Sequence, residues 1–268
     1  MSMINSVVIL GAGNLATHLA IALHDAGVNI RQVYSRSVQS ASVLANKVNS
    51  TPLTEVKNLA GNADLYIFAL SDKALQLVLD QMSIPITSVV HTAGSIPMDV
   101  FDNYAECYGV FYPLQTFTKN RKLDFSDIPI CIESNHIGLQ MDLMDLAKRI
   151  SNSIHLINSE QRKQLHLSAV FTCNFANHMY SIGQSLLAEK DVDFDLLKPL
   201  IKETAAKVQD HDPMEAQTGP AIRFDKEIMA CHENELKGLP DFQKLYRFVS
   251  ESIFKMHNEM NSERMKNK

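Results

Sequence analysis

Residues 6–22 read SVVILGAGNLATHLAIA. Four apolar residues, Val7, Val8, Ile9 and Leu10, run straight into Gly11, Ala12, Gly13, Asn14, Leu15 and Ala16. Leu15, Leu19, Ala22 and Leu23 then recur at helical spacing, so the pattern is strand, glycine turn, helix. The small residues keep the G-x-G-x-x-A spacing of a dinucleotide-binding turn. Gly11 permits the tight turn off the strand. Gly13 has no Cβ, so the backbone can come close to a pyrophosphate. Ala16 lets the helix approach the sheet. The new helix offers unpaired N–H groups and the positive end of its dipole to that anion. A plain strand-to-helix turn is the competing reading, and the order of the three elements weighs against it.

Outward from this stretch, strands and helices alternate. Strands are expected at residues 30–34, 65–70, 88–91 and 108–112, and helices at 38–48 and 73–81. Weaker signals give a strand at 128–132, a helix at 138–150 and a β-like run at 153–157. Such alternation predicts an α/β fold, a doubly wound parallel Rossmann sheet that binds ligands at the carboxyl ends of its strands. From Ser159 the texture changes. Leu165, Ala169, Phe171, Ala176, Met179, Ile182 and Leu186 form one apolar stripe, which predicts a long helix over 160–189. Asp195 can cap another helix, and two more are expected at 225–236 and 241–260. The expected organisation is a dinucleotide-binding domain over 1–157 and an all-helical substrate and dimerisation domain over 158–268.

Composition narrows the function classes. A net charge of −5 over 268 residues argues against nucleic acid and anionic membranes as partners. The four cysteines are scattered, with no C-x-x-C pair, which argues against disulfides and a cysteine zinc site. No apolar run reaches membrane-spanning length. These features suit a cytoplasmic protein. Asp210-His211-Asp212 and His232-Glu233-Asn234-Glu235 cluster ligand types, but neither has metal-site spacing, so no metal is expected.

The residues just after each strand carry the candidate chemistry. Tyr34 is followed by Ser35, Arg36 and Ser37, where an NAD site would place Asp or Glu for the ribose 2′-OH. A forked cation and two hydroxyls suit a 2′-phosphate instead, so the expected cofactor is NADP; a solvated loop arginine is the bland alternative. Leu70, Ser71, Thr92 and Gly94 can line the channel beyond the pyrophosphate. Asp72 reads equally as a helix cap. His91 is either a proton donor or a packed strand-end histidine. In the long helix, His166, Val170, Asn174 and Asn177 fall near one face by i, i+4, i+8, i+11 spacing. That face reads as a substrate cleft or as helix–helix and dimer contacts. His91, His166, Asn174 and Asn177 are the candidate catalytic set.

Seven stretches together resemble one family: VVILGAGNLATHLA (7–20), VYSRS (33–37), ADLYIFALSD (63–72), VVHTAGS (89–95), YPLQTF (112–117), AVFTCNFANH (169–178) and TGPAIRFD (218–225). These are the bacterial Rossmann-like proteins with an uncharacterised helical C-terminal domain, labelled NADP oxidoreductases of the deazaflavin-coenzyme-dependent type. More distantly the chain is similar to pyrroline-5-carboxylate reductase, ketopantoate reductase and the β-hydroxyacid dehydrogenases. The resemblance implies an NADP-dependent oxidoreductase, a small-molecule substrate and a homodimer built by the helical domain. Three positions depart from the pattern. The related reductases place a catalytic lysine four residues before the asparagine matched by Asn174, and here that position is Val170. The family has His where Tyr112 stands and Gly where Phe224 stands. A non-catalytic NADP-binding sensor or scaffold is therefore the alternative function.

Overall fold

The computed structural model describes residues 4–82 and 86–266. Eight strands form one sheet: β1 (Ser6–Leu10), β2 (Asn29–Tyr34), β3 (Thr51–Leu53), β4 (Leu65–Phe68), β5 (Ile86–His91), β6 (Ala105–Pro113), β7 (Ile130–Ser134) and β8 (Ile154–Leu156). Their order is β3-β2-β1-β4-β5-β6-β7-β8, so the winding reverses between β1 and β4. Helix α1 (Asn14–Asp25) connects β1 to β2, and α2 (Val38–Lys47) connects β2 to β3. Helix α3 (Asp72–Leu79) lies between β4 and β5, and α4 (Ile137–Lys148) between β7 and β8.

Alternate residues of each strand serve different faces. Val7 and Ile9 of β1 pack with Leu19 and Leu23 of α1, Leu44 of α2 and Leu143 of α4. Val8 and Leu10 pack on the other face with Leu75, Val78 and Leu79 of α3 and with Phe101. All four β1 side chains are fully buried. Each contributes about 1.5–3 kcal/mol by leaving water, which explains the unbroken apolar run before the glycines.

Two features depart from the expected sheet. Strand β3 has no apolar signature of its own and is held by pairing with β2. The sheet is parallel from β3 through β6, but β7 runs antiparallel to β6, with Phe111 opposite Ile132. The reason lies in the connection. Residues 114–129 return without a crossover helix, and a parallel partner requires one. Helix α4 then makes β8 parallel to β7.

The chain divides into two compact units, Met1–Asn174 and Phe175–Lys268. Helix α5 (Ser159–Ala169) belongs to the first, so the division falls later than residue 157. A buried ion pair from α5 to β7 holds it there. The single helix expected over 160–189 is interrupted. Val170–Phe175 form a π turn between α5 and α6 (Ala176–Ala188). Val, Phe, Thr, Cys and Asn all rank low in helix propensity, which favours a break in α bonding there.

The second unit continues with α7 (Lys198–Asp210), α8 (Pro213–Ala216), α9 (Pro220–Arg223), α10 (Lys226–Glu235) and α11 (Pro240–Lys266). The Asp225 carboxylate caps α10 by accepting from the Ile228 N–H at 3.2 Å. Phe224 ends α9 at φ +51°, a left-handed conformation that glycine adopts most easily, and its ring stacks on Phe254 at 4.3 Å. No helix among the described residues is long and apolar enough to cross a membrane.

Candidate functional site

The turn after β1 is fixed by contact as well as by sequence. Gly11 sits at φ +130°, and a Cβ there would lie 2.1 Å from the Ala69 carbonyl oxygen after β4. Its N–H donates to the Tyr34 carbonyl at 2.8 Å, which ties the turn to the end of β2. In front of Gly13 the space is open, since an added Cβ would meet no heavy atom within 4 Å. Ala16 is buried, and Leu15 packs on the core edge. The Asn14 side-chain amide donates to the Phe117 carbonyl at 2.9 Å, so its side chain is committed and its backbone N–H remains at the helix start.

A cavity of about 400 Å³ opens beside this turn. Gly11, Ala12 and Gly13 form one side, Tyr34, Ser35 and Arg36 a second, and Ala69, Leu70 and Ser71 a third. Apolar side chains of α3, including Leu77 and Val78, close it. No carboxylate among the described residues lines it. Arg36 is exposed and forms no ion pair among the described residues. Ser35 Oγ accepts from the Ser37 N–H at 3.3 Å, and Ser37 Oγ accepts from the Ser40 N–H at 3.3 Å, capping α2. Both hydroxyls keep their hydrogens for an incoming acceptor. Asp72 is no side-chain cap; it accepts from the Ser95 hydroxyl at 2.6 Å and so joins the turns after β4 and β5.

The ends of β5 and β6 hold a second group of residues. His91 is fully buried. Its Nδ1 accepts from the Ala93 N–H at 3.1 Å, and its Nε2 has no well-formed partner. Burial, reinforced by the Arg162 charge, lowers its pKa from 6.5 to about 3. It therefore stays neutral and closed from solvent at pH 7, 5.7 Å from the Phe101 ring. Thr92 is buried. Gly94 faces His166 of α5, and a Cβ on Gly94 would lie 2.5 Å from that imidazole. His166 Nδ1 stands 3.1 Å from the Tyr112 hydroxyl at the end of β6. Burial pushes the Tyr112 hydroxyl up to about 12, with Cys131 adding to the shift and Arg162 opposing it.

Arg162 anchors this group from beneath. It is fully buried, pairs with Glu133 of β7, and donates to the Ile96 carbonyl. Glu133 also accepts from the Ser159 N–H at 2.8 Å and from its hydroxyl at 2.7 Å. The first turn of α5 is thereby fastened to β7 and to the segment after β5.

Two candidates remain. Asn174 is exposed in the π turn, and Asn177 is exposed in α6 of the second unit. The π turn breaks the spacing that put His166, Asn174 and Asn177 on one α-helical face. Among the described residues no group of three His, Cys, Asp or Glu side chains is placed to hold a metal. Glu233 pairs with Arg247, and His232 Nδ1 lies 2.8 Å from the Tyr246 hydroxyl.

Comparison with known proteins agrees with this architecture. Residues 6–93 match the family "NADP oxidoreductase coenzyme F420-dependent", and residues 128–253 match a domain of unknown function, DUF2520. The solved Bacteroides fragilis protein BF3122, described as a candidate NADP oxidoreductase, is 45% identical. It aligns over 94% of this chain and 98% of its own at a TM-score of 0.88. The chain belongs to this NADP oxidoreductase family. Two more distant structures share the fold. Protein TM1727 from Thermotoga maritima is 20% identical over 95% of this chain and 99% of its own, at a TM-score of 0.71. A reductive aminase from Aspergillus terreus, solved with NADPH and ethyl-5-oxohexanoate, is 14% identical over 98% and 95%, at 0.62. No curated protein matches the chain. The dinucleotide turn is legible in the sequence, whereas the clustering of Tyr112, Glu133 and Arg162 is not. The one available signal was a pair of opposite charges, Glu133 closing an apolar strand and Arg162 in the first turns of α5.

Proposed function

We propose that the chain binds NADP(H) with its adenosine half in the 400 Å³ cavity and transfers a hydride to or from a small carbonyl, imine or hydroxyacid-type substrate. The carrying observation is the acid-free end of β2, with Arg36 in no ion pair among the described residues and beside two available hydroxyls. A carboxylate there would bond a ribose 2′-OH and repel a phosphate; a forked guanidinium binds the phosphate. Gly11, Gly13 and the start of α1 would hold the pyrophosphate, and Ser35, Arg36 and Ser37 the 2′-phosphate. The bound cofactor supplies the hydride, and the chain supplies orientation and a proton. The fold's likeness to the NADPH-bound aminase supports the same reading. Calorimetric titration tests it: saturable NADPH binding that exceeds NADH binding is expected, and equal or reversed preference refutes it.

One observation favours a second reading. By the resemblance to the related reductases, Val170 stands where they place a catalytic lysine, so NADP binding without turnover is the alternative, a sensor or scaffold. NADPH oxidation across ketoacids, aldehydes and imines separates the two. A homodimer through the helical unit belongs to the same proposal. Helices α6 and α7 bury no residue, and in the second unit Ala221, Met229 and Leu236 are the buried apolar side chains among those described. Apolar faces left so open call for a covering surface. Light scattering should give twice the chain mass, and a monomer at micromolar concentration would contradict it.

A further inference from the structure

The geometry points to the Tyr112–His166 pair as the proton-handling group of the site, with His166 Nε2 as the atom that gives a proton to the oxygen or nitrogen of a C=O or C=N substrate. The inference rests on the hydride-transfer reading above. A dinucleotide held at Gly11 and Gly13 would extend across the crevice outside the carboxyl ends of the strands, where the strand order reverses. Gly94 follows β5, and Tyr112 is the penultimate residue of β6. His166 is set against both, its ring filling the space where a Gly94 side chain would be and its Nδ1 3.1 Å from Tyr112 Oη. His166 is half-buried, unlike His91, which is sealed in the core.

Tyr112 decides which nitrogen is chemically free. Its hydroxyl is buried and stays protonated at neutral pH, so it can donate to Nδ1 of a neutral ring protonated at Nε2 and accept from Nδ1–H of the charged ring. In either state Nδ1 is engaged, and no described group occupies Nε2. The step balances as follows. A bound reduced nicotinamide would supply the hydride that becomes the new C–H bond at the substrate carbon, leaving the oxidised ring. The C=O or C=N π pair moves to the heteroatom, which takes the Nε2 proton of the imidazolium. The neutral ring regains a proton from solvent. Tyr112 is a positioning residue here, and the buried Arg162–Glu133 pair keeps α5, and with it His166, over the sheet edge.

The test is nitrogen NMR on the full chain labelled at histidine, with His166→Gln identifying the signal. The neutral His166 ring should show Nδ1 as the acceptor nitrogen and Nε2 as the protonated one. Tyr112→Phe should mix the two tautomers, and Gly94→Ala should do the same by displacing the ring. Saturating NADP+ should move the His166 signals, while 2′,5′-ADP, which fills the adenosine half alone, should leave them in place. With any carbonyl or imine that the chain reduces, His166→Gln should lower kcat by about 10²- to 10⁴-fold without changing NADPH affinity. NADP+ saturation with unmoved His166 signals, or a Tyr112→Phe spectrum identical to wild type, overturns the inference alone. Failure of NADP+ to saturate by calorimetry overturns the cofactor reading and this inference with it.

Discussion

The two halves of the sheet edge are built in opposite ways. Around β1 and β2 the site is made of short stretches, residues 11–16 and 34–37, whose backbone and local caps place every group. Around β5 and β6 it is made of residues far apart in sequence. Gly94, Tyr112, Glu133, Arg162 and His166 meet only because β6, β7 and α5 pack together. The first half presents backbone and exposed polar groups; the second rests on buried charge. Changes in the first half should therefore act on ligand affinity, and changes in the second on stability.

The largest break in that comparison is Arg162→Met. Among the described residues, it leaves the Glu133 carboxylate in a nearly closed site with its Ser159 donors alone. Removing one partner of a buried pair costs about 3–5 kcal/mol, to be read by urea unfolding. Affinity for 2′,5′-ADP should be unchanged, since that ligand occupies the other half. A stability loss below about 1 kcal/mol would mean that the remaining Glu133 carboxylate is satisfied by Ser159, water or a proton and is not left as an uncompensated buried charge.

His91 sharpens the same contrast through pH. Its folded pKa is about 3 against 6.5 for the free side chain. Between those values the unfolded chain binds a proton that the folded chain refuses. Stability is thus complete above pH 6.5 and falls as pH drops toward 3, by about 1.4 kcal/mol per unit. At pH 4.5 the loss should be on the order of 3 kcal/mol relative to pH 7. His91→Asn, whose side-chain oxygen can still accept from the Ala93 N–H, should flatten that acid limb. An equally steep limb in the variant would assign it to other groups.

On the first half, Arg36→Glu should change affinity and little else. Charge-assisted bonds are worth about 1.5–3 kcal/mol, so NADPH binding should weaken by about 10- to 100-fold. NADH binding should hold or improve, because the new carboxylate suits a ribose 2′-OH. Stability should stay within about 0.5 kcal/mol, as for an exposed loop position.

The same contrast explains what could be read from the sequence. The G-x-G-x-x-A turn, the acid-free end of β2 and the strand–helix alternation are local patterns, and each maps to one stretch of backbone. The antiparallel turn of β7 depends on a loop finding no crossover helix, which no residue at 114–129 announces. His91 has the same one-letter identity whether catalytic or sealed; only packing against Phe101 and Arg162 distinguishes them. The π turn at Val170–Phe175 shifts a face that α periodicity would place with confidence. Phe224 is a further case: nothing in its side chain announces the left-handed backbone at φ +51°, and stacking on Phe254 is the compensating contact.

Ser37 gives the smallest and most discriminating test, because it serves both roles at once. Its Oγ accepts from the Ser40 N–H and caps α2, while its hydroxyl hydrogen is available to a 2′-phosphate. Ser37→Ala removes both functions. It should cost about 1 kcal/mol of stability, as lost N-caps do, and weaken NADPH by about tenfold. Ser37→Asp keeps the cap, since aspartate is among the best N-cap residues, but sets a negative charge against the phosphate. Its stability should match wild type while NADPH binding falls at least as far as in the alanine variant. If the aspartate variant binds NADPH like wild type, then Ser37 is only a cap, and the 2′-phosphate contact rests on Ser35 and Arg36.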